Sequence, residues 1–134
     1  MIFHHIGLFT ADLAKGREKL SSIIPISNVS EQIVDDGMKV IIQFCTDSSG
    51  VCYELVAPFG EGNPVSGVLS SGKAILNHVA YTVDDIDASS RKLRSGGCIP
   101  IGKARPAVAF QNRKVAFFLT PLHFIIELIE SGNE

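Results

Sequence analysis

Apolar residues change their spacing along this chain in an order that occurs twice. Residues 2–9 are apolar and strand-like, and residues 12–23 follow with Leu13, Leu20 and Ile23 near one helical stripe and Asp12 placed to cap it. Residues 38–46 and 51–57 are again β-rich, parted by the turn cluster Asp47-Ser48-Ser49-Gly50. A weaker strand is predicted through 27–34, closed by Asp35-Asp36-Gly37. The order is βαβββ. It recurs as a strand at 75–83, a helix from about Asp87 to Ser95 stopped by Gly96-Gly97, and strands near 106–110, 114–119 and 123–130. The segment from Pro58 to Lys73, rich in Gly, Ser and Pro, reads as the connection.

One offset relates the halves. Phe3-His4-His5-Ile6-Gly7-Leu8 aligns with Leu76-Asn77-His78-Val79-Ala80-Tyr81, placing His78 73 positions after His5. The same step carries Asp12-Leu13 to Asp85-Ile86, Lys19-Leu20 to Lys92-Leu93, and Tyr53-Glu54-Leu55-Val56 to Ile126-Glu127-Leu128-Ile129. Each half is too small to bury a core well alone. The expectation is one α+β domain over 1–134, with modules at 1–58 and 75–134 and a linker at 59–74, forming a curved mixed sheet around a cleft.

Composition narrows the function. The 134 residues are 46% hydrophobic and 19% charged, ordinary for a folded domain, with a net charge of -2 and no basic cluster of the kind a nucleic-acid groove uses. No apolar run is long enough to span a bilayer; the stretch Val115–Ile129 is broken by Thr120, Pro121, His123 and Glu127. The opening residues lack a basic region followed by an apolar stretch, and Cys45, Cys52 and Cys98 form no close pair. A cytoplasmic protein with free thiols is expected.

Glu54 and Glu127 are the informative residues. Each lies inside a strand that is apolar on both faces, Val51–Val56 and Phe124–Ile129, with no Lys or Arg neighbour. An unpaired buried carboxylate costs several kcal/mol. His5 and His78 present a milder form of the same problem. One divalent cation held by His5, Glu54, His78 and Glu127 resolves all four, and mixed imidazole and carboxylate ligands suit Zn, Ni, Co, Mn or Fe. His4 falls on the opposite strand face from His5, so a surface or structural role is expected for it. His123 shares strand parity with Glu127 and is a candidate to line the same cavity. Asp84, Asp85 and Asp87 read as helix-capping and first-turn charges. Lys103, Arg105, Arg113 and Lys114 read as surface charge, with a grip on an anionic substrate as the alternative.

The chain resembles the vicinal-oxygen-chelate (glyoxalase/bleomycin resistance/dioxygenase) superfamily over nearly its full length. Within it, the methylmalonyl-CoA epimerases are most similar. The resemblance rests on His5-Ile6-Gly7, Asp36-Gly37-Met38-Lys39-Val40, Glu54-Leu55-Val56-Ala57-Pro58, Asn77 through Ile86 with its His-Val-Ala and Val-Asp-Asp-Ile blocks, and Ile126-Glu127-Leu128. It implies two βαβββ modules around a cleft whose metal chelates two substrate oxygens, with His5, Glu54, His78 and Glu127 as ligands by position. Glu54 departs from the usual epimerase Gln and gives the His-Glu-His-Glu set of bacterial glyoxalase I. Phe9 and Pro58, however, stand where that enzyme has an Arg and an Asn for glutathione. The hairpin Pro106–Lys114 also differs from the Gly-rich epimerase segment.

The expected function is therefore a metal-dependent isomerase or epimerase. A metal-polarised carbonyl acidifies the adjacent C–H, and Glu127 or Glu54 removes the proton from an acyl-CoA or related thioester acid. The alternatives are a glyoxalase I-like lactoylglutathione lyase, a non-catalytic antibiotic-binding protein, and an Fe(II) oxygenase, which the fourth ligand Glu54 argues against. The expected cofactor is one Co, Ni, Zn or Mn ion. The expected partner is a small anionic substrate, with homodimerisation also open, and neither nucleic acid nor membrane is expected.

Overall fold

The computed structural model describes residues 1–61, 66–67 and 76–132, so most of the expected linker 59–74 lies outside the described residues. Among the described residues the first half contains β1 (Ile2–Phe9), α1 (Leu13–Ile23), β2 (Ile26–Val29), β3 (Ile33–Asp35), β4 (Val40–Asp47) and β5 (Cys52–Pro58). The second contains β6 (Leu76–Val83), α2 (Ile86–Ser95), β7 (Ile99–Ala107), a 3-10 turn at Val108–Phe110, β8 (Arg113–Leu119) and β9 (Ile125–Glu130). The fold is α+β, as the sequence predicts. Two compact units are distinguished, one of His5–Asn77 and one of Met1–His4 with His78–Glu134.

In the unit formed by His5–Asn77 the strands run in the order β2-β4-β5-β1, and β3 also pairs with β4. β1 and β5 are parallel, and the other pairs are antiparallel. Helix α1 begins where the Asp12 carboxylate accepts the Lys15 N–H at 2.9 Å. It ends where the Ile24 N–H reaches the Leu20 carbonyl, immediately before Pro25. Leu13 and Leu20 are buried against Cys45, Leu55 and Ala57, with Leu8, Ile41 and Tyr53 alongside. Each fully buried leucine contributes about 1.5–3 kcal/mol. Successive strand side chains point to opposite faces. With Ile41, Cys45, Tyr53, Leu55 and Ala57 taken by the helix side, Phe44 and Glu54 belong to the other face.

The single strand expected at 27–34 is two strands. Between them the Ser30 hydroxyl accepts the Phe44 N–H at 3.0 Å, and the Ser30 carbonyl accepts the Gln43 amide at 2.8 Å. A side-chain oxygen thus replaces a ladder carbonyl, and the strand breaks there.

In the other unit the order is β6-β9-β8-β7, with β6 and β9 parallel and the rest antiparallel. Asp85 caps α2 by accepting the Ala88 N–H at 3.0 Å. The helix stops at Gly96, and the next residue, Gly97, has φ +93°. Val83, Ile86, Ala116, Phe118, Ile126 and Leu128 form the core beneath it.

The strand expected near 106–110 is longer than predicted and displaced. β7 spans Ile99–Ala107, whereas residues 108–110 form the 3-10 turn. Pro100 and Pro106 lie in β7, and the register shifts between Ile101 and Arg105, where Gly102 has φ +71°. β7 pairs only with β8 among the described strands and stands last in the strand order, where missing N–H donors are tolerated. The last expected strand, 123–130, begins at Ile125 instead.

Candidate metal centre

The sheet brings each histidine to the glutamate of its own half. Glu54 stands opposite Phe44 across β4 and β5, and Gly7 of β1 pairs with Glu54 from the other side. His5, two residues before Gly7, therefore shares the face of Glu54. Its Nε2 lies 3.3 Å from Glu54 Oε1. Similarly, Glu127 stands opposite Phe117, Ala80 pairs with Glu127, and His78 precedes Ala80 by two. His78 Nε2 lies 3.1 Å from Glu127 Oε1. The relative exposures are 0% for His5, 6% for Glu54, 4% for His78 and 3% for Glu127.

Buried imidazole and carboxylate at this separation admit two states. The imidazole can donate Nε2–H to the carboxylate, or both can direct lone pairs at a cation. Two ligands bound at about 2.1 Å and at right angles are about 3 Å apart, so each pair already has the spacing of neighbouring ligands. The four buried residues are of the kinds that hold a metal ion, two imidazole nitrogens and two carboxylate oxygens. The donor set fits a borderline divalent ion.

Sequence reasoning overlooked two residues here. The Phe44 ring lies 5.8 Å from the His5 ring at an interplanar angle of 71°. The Phe117 ring lies 5.8 Å from the His78 ring at 81°. A phenylalanine in an apolar strand reads as core, and only the shared offset of 73 marks these two out. Asp35 was also overlooked, a buried carboxylate whose Oδ1 accepts the Met38 N–H at 3.0 Å.

Other candidates fall away from the centre. His123 is not on β9; it is exposed in the turn before it, with φ +70° and its N–H on the Thr120 carbonyl. Strand parity with Glu127 therefore does not apply to it, which corrects the expectation that it lines the same cavity. His4 meets the Phe110 ring edge-on at 5.4 Å, a structural contact. Asp85 is the helix cap, Asp87 lies in the first turn, and Asp84 accepts the Ser131 hydroxyl at 3.2 Å. Lys103, Arg105 and Lys114 are exposed. Arg113 donates to the Phe110 carbonyl at 2.9 Å, to Gln111 Oε1 at 3.2 Å and to the Glu130 carbonyl at 3.4 Å, so it braces the β7–β8 connection.

Cysteine chemistry is muted. All three cysteines are free, and burial raises the Cys45 thiol above its ordinary value. Burial also raises that of Cys52, with the nearby Glu54 charge adding to the effect.

Residues 4–117 match the family model of the Glyoxalase/Bleomycin resistance protein/Dioxygenase superfamily. Over 78 residues the chain is 35% identical to an ethylmalonyl-CoA/methylmalonyl-CoA epimerase of Cereibacter sphaeroides; that stretch is 58% of this chain and 58% of the relative's length. The crystal structure of methylmalonyl-CoA epimerase from Mycobacterium tuberculosis aligns with a TM-score of 0.79 at 24% identity, covering 98% of this chain and 88% of that one. A Streptomyces coelicolor methylmalonyl-CoA epimerase in complex with 2-nitronate-propionyl-CoA aligns with a TM-score of 0.77 at 20% identity, covering 99% of both chains. At these identities the solved structures establish the fold, and the family match establishes membership. The chain belongs to the glyoxalase/bleomycin resistance protein/dioxygenase superfamily.

Proposed function

We propose that His5, Glu54, His78 and Glu127 jointly hold one divalent cation, Co, Ni, Zn or Mn, and that the chain is an epimerase of an acyl-CoA or related thioester acid. The observation that carries this is the buried His–Glu pair found at equivalent strand positions in both halves, at 3.3 Å and 3.1 Å. The epimerase relatives support the substrate class. The bound ion would polarise a substrate carbonyl and stabilise charge developing on its oxygen.

The protein's own part is proton transfer. Epimerisation needs a base on each side of the substrate α-carbon, within about 3 Å of the proton. Glu127 and Glu54 supply one carboxylate from each half of the repeat, and Glu127 is assigned as one base. A carboxylate bound to a cation is a poor base, so Glu127 would serve as the base only while not acting as a ligand.

The test is metal analysis of untagged protein purified without chelators, followed by solvent-deuterium exchange into racemic methylmalonyl-CoA. Wild type should carry about one ion per chain and exchange deuterium. Glu127→Gln should lose most exchange; Glu54→Gln, which installs the residue usual in epimerases, should keep exchange if Glu54 is only a ligand and lose it if Glu54 is the second base. A metal-loaded Glu127→Gln that exchanges at the wild-type rate reduces Glu127 to a ligand. Wild type without metal or exchange ends the proposal.

A glyoxalase I-like reading is favoured by one residue, Glu54 in place of Gln. The hemithioacetal of glutathione and methylglyoxal is its discriminating substrate. Turnover of that compound in preference to acyl-CoA would replace the epimerase assignment.

A further inference from the structure

We infer that Phe44 and Phe117 are positioning residues that set the ring planes of His5 and His78 toward their glutamates. The inference rests on the proposed metal-binding reading. Its basis is a triangle built twice. In the first, β5 carries Glu54, with His5 on the strand to one side and Phe44 on the strand to the other. Strands on either side of a third are about 9.5 Å apart, so a ring-to-ring distance of 5.8 Å means that the two rings lean toward each other across the strand that carries the carboxylate. The second triangle repeats this with Glu127 on β9, His78 on β6 and Phe117 on β8.

The repeat itself argues against core filling. Aligned at the offset of 73, β4 and β8 differ at every position except Phe44 and Phe117. The neighbouring Gln43 becomes Ala116, and Cys45 becomes Phe118. Core positions on these strands have drifted in size and polarity, while the ring beside each histidine has not. An edge-to-face contact restricts rotation about the last histidine torsion, which is otherwise broad. A ring fixed in this way keeps Nε2 aimed at the carboxylate before any ion arrives. Groups that orient ligands typically alter metal affinity by about 10–100-fold when removed.

The experiment compares Phe44→Leu and Phe117→Leu with Phe118→Leu. Phe118 is 2% exposed and faces α2 on the same strand as Phe117, so its variant should lose thermal stability but keep its metal site. Two readouts are used: the ion dissociation constant from competition with a chromophoric chelator, and the visible bands of the Co(II)-loaded protein, which report ligand geometry. Phe44→Leu and Phe117→Leu should each weaken binding about tenfold or more and shift the Co(II) bands. Phe44→Tyr and Phe117→Tyr, which retain the ring at half-buried positions, should restore both readouts. If a leucine variant does not fold, Phe44→Met or Phe117→Met fills similar space without a ring and makes the same comparison. Wild-type affinity and spectrum in the ringless variants overturn the inference. Wild type that binds no ion overturns the metal-binding reading itself, and the inference with it.

Discussion

Asp12 and Asp85 perform the same task at equivalent places: each carboxylate accepts the backbone N–H three residues on, at 2.9 Å from Lys15 and 3.0 Å from Ala88. Both are the last residue before a helix, and both are followed by a buried aliphatic, Leu13 or Ile86. Asp12→Ala and Asp85→Ala should therefore each lower stability by about 1 kcal/mol. Urea denaturation measures it, and the metal content of the folded variants should match wild type. A loss below about 0.3 kcal/mol at either site would mean that solvent satisfies that helix end equally well.

Gly16 offers a prediction against ordinary helix propensity. Replacing an interior helix glycine with alanine usually stabilises by about 0.5–1 kcal/mol. Here an added Cβ would lie 2.7 Å from Thr10 Oγ1, 2.9 Å from its Cγ2 and 3.0 Å from its Cβ. Threonine is stiff about χ1, and a clash with its Cβ cannot be relieved by rotation. Gly16→Ala should destabilise by about 1–3 kcal/mol, as overpacking does. The double variant with Thr10→Ala should recover most of that loss, and a denaturation cycle over the four proteins reads the coupling.

Asp47 gives a pH dependence of known sign. The Ser49 hydroxyl donates to its carboxylate at 2.8 Å, and the Val51 and Ser49 N–H groups each donate at 2.9 Å. These bonds, that from the Ser49 side chain first, hold its pKa below the ordinary 3.8. A lowered folded value stabilises the native state above the unfolded pKa, and that contribution is lost as pH falls through the folded value. Asp47→Asn should flatten stability against pH between about pH 5 and about pH 2 and leave the neutral region little changed in slope. Superimposable acid limbs for the variant and wild type would show that the turn tolerates the protonated acid.

What the sequence disclosed was local or periodic. Asp12 and Asp85 announced the helices because a cap is a single residue before an apolar stripe. Glu54 and Glu127 were legible because a carboxylate with apolar strand residues on both sides of it conflicts with its setting. The break between β2 and β3 was hidden, because it depends on the Ser30 hydroxyl meeting Phe44 fourteen residues away. β7 was misplaced for a related reason. Pro100, Gly102 and Pro106 read as strand breakers, and only an outer position lets a strand carry them. His123 misled because a parity argument requires the strand to have begun, and it begins two residues later. Phe44 and Phe117 carried no conflict, and their shared offset of 73 acquires a meaning only once the fold sets each ring beside a histidine.

β7 has a consequence for how copies of this chain meet. A sheet's outer strand exposes hydrogen-bonding groups that another chain can extend, the first step toward fibrous aggregation. Along β7 an incoming strand would find no N–H at Pro100 or Pro106, a shift in register between Ile101 and Arg105, and the exposed cations Lys103 and Arg105. No continuous ladder can be laid over that stretch, and charged side chains oppose the pairing. The irregularity that hid this strand from sequence reading therefore guards its border against runaway self-assembly.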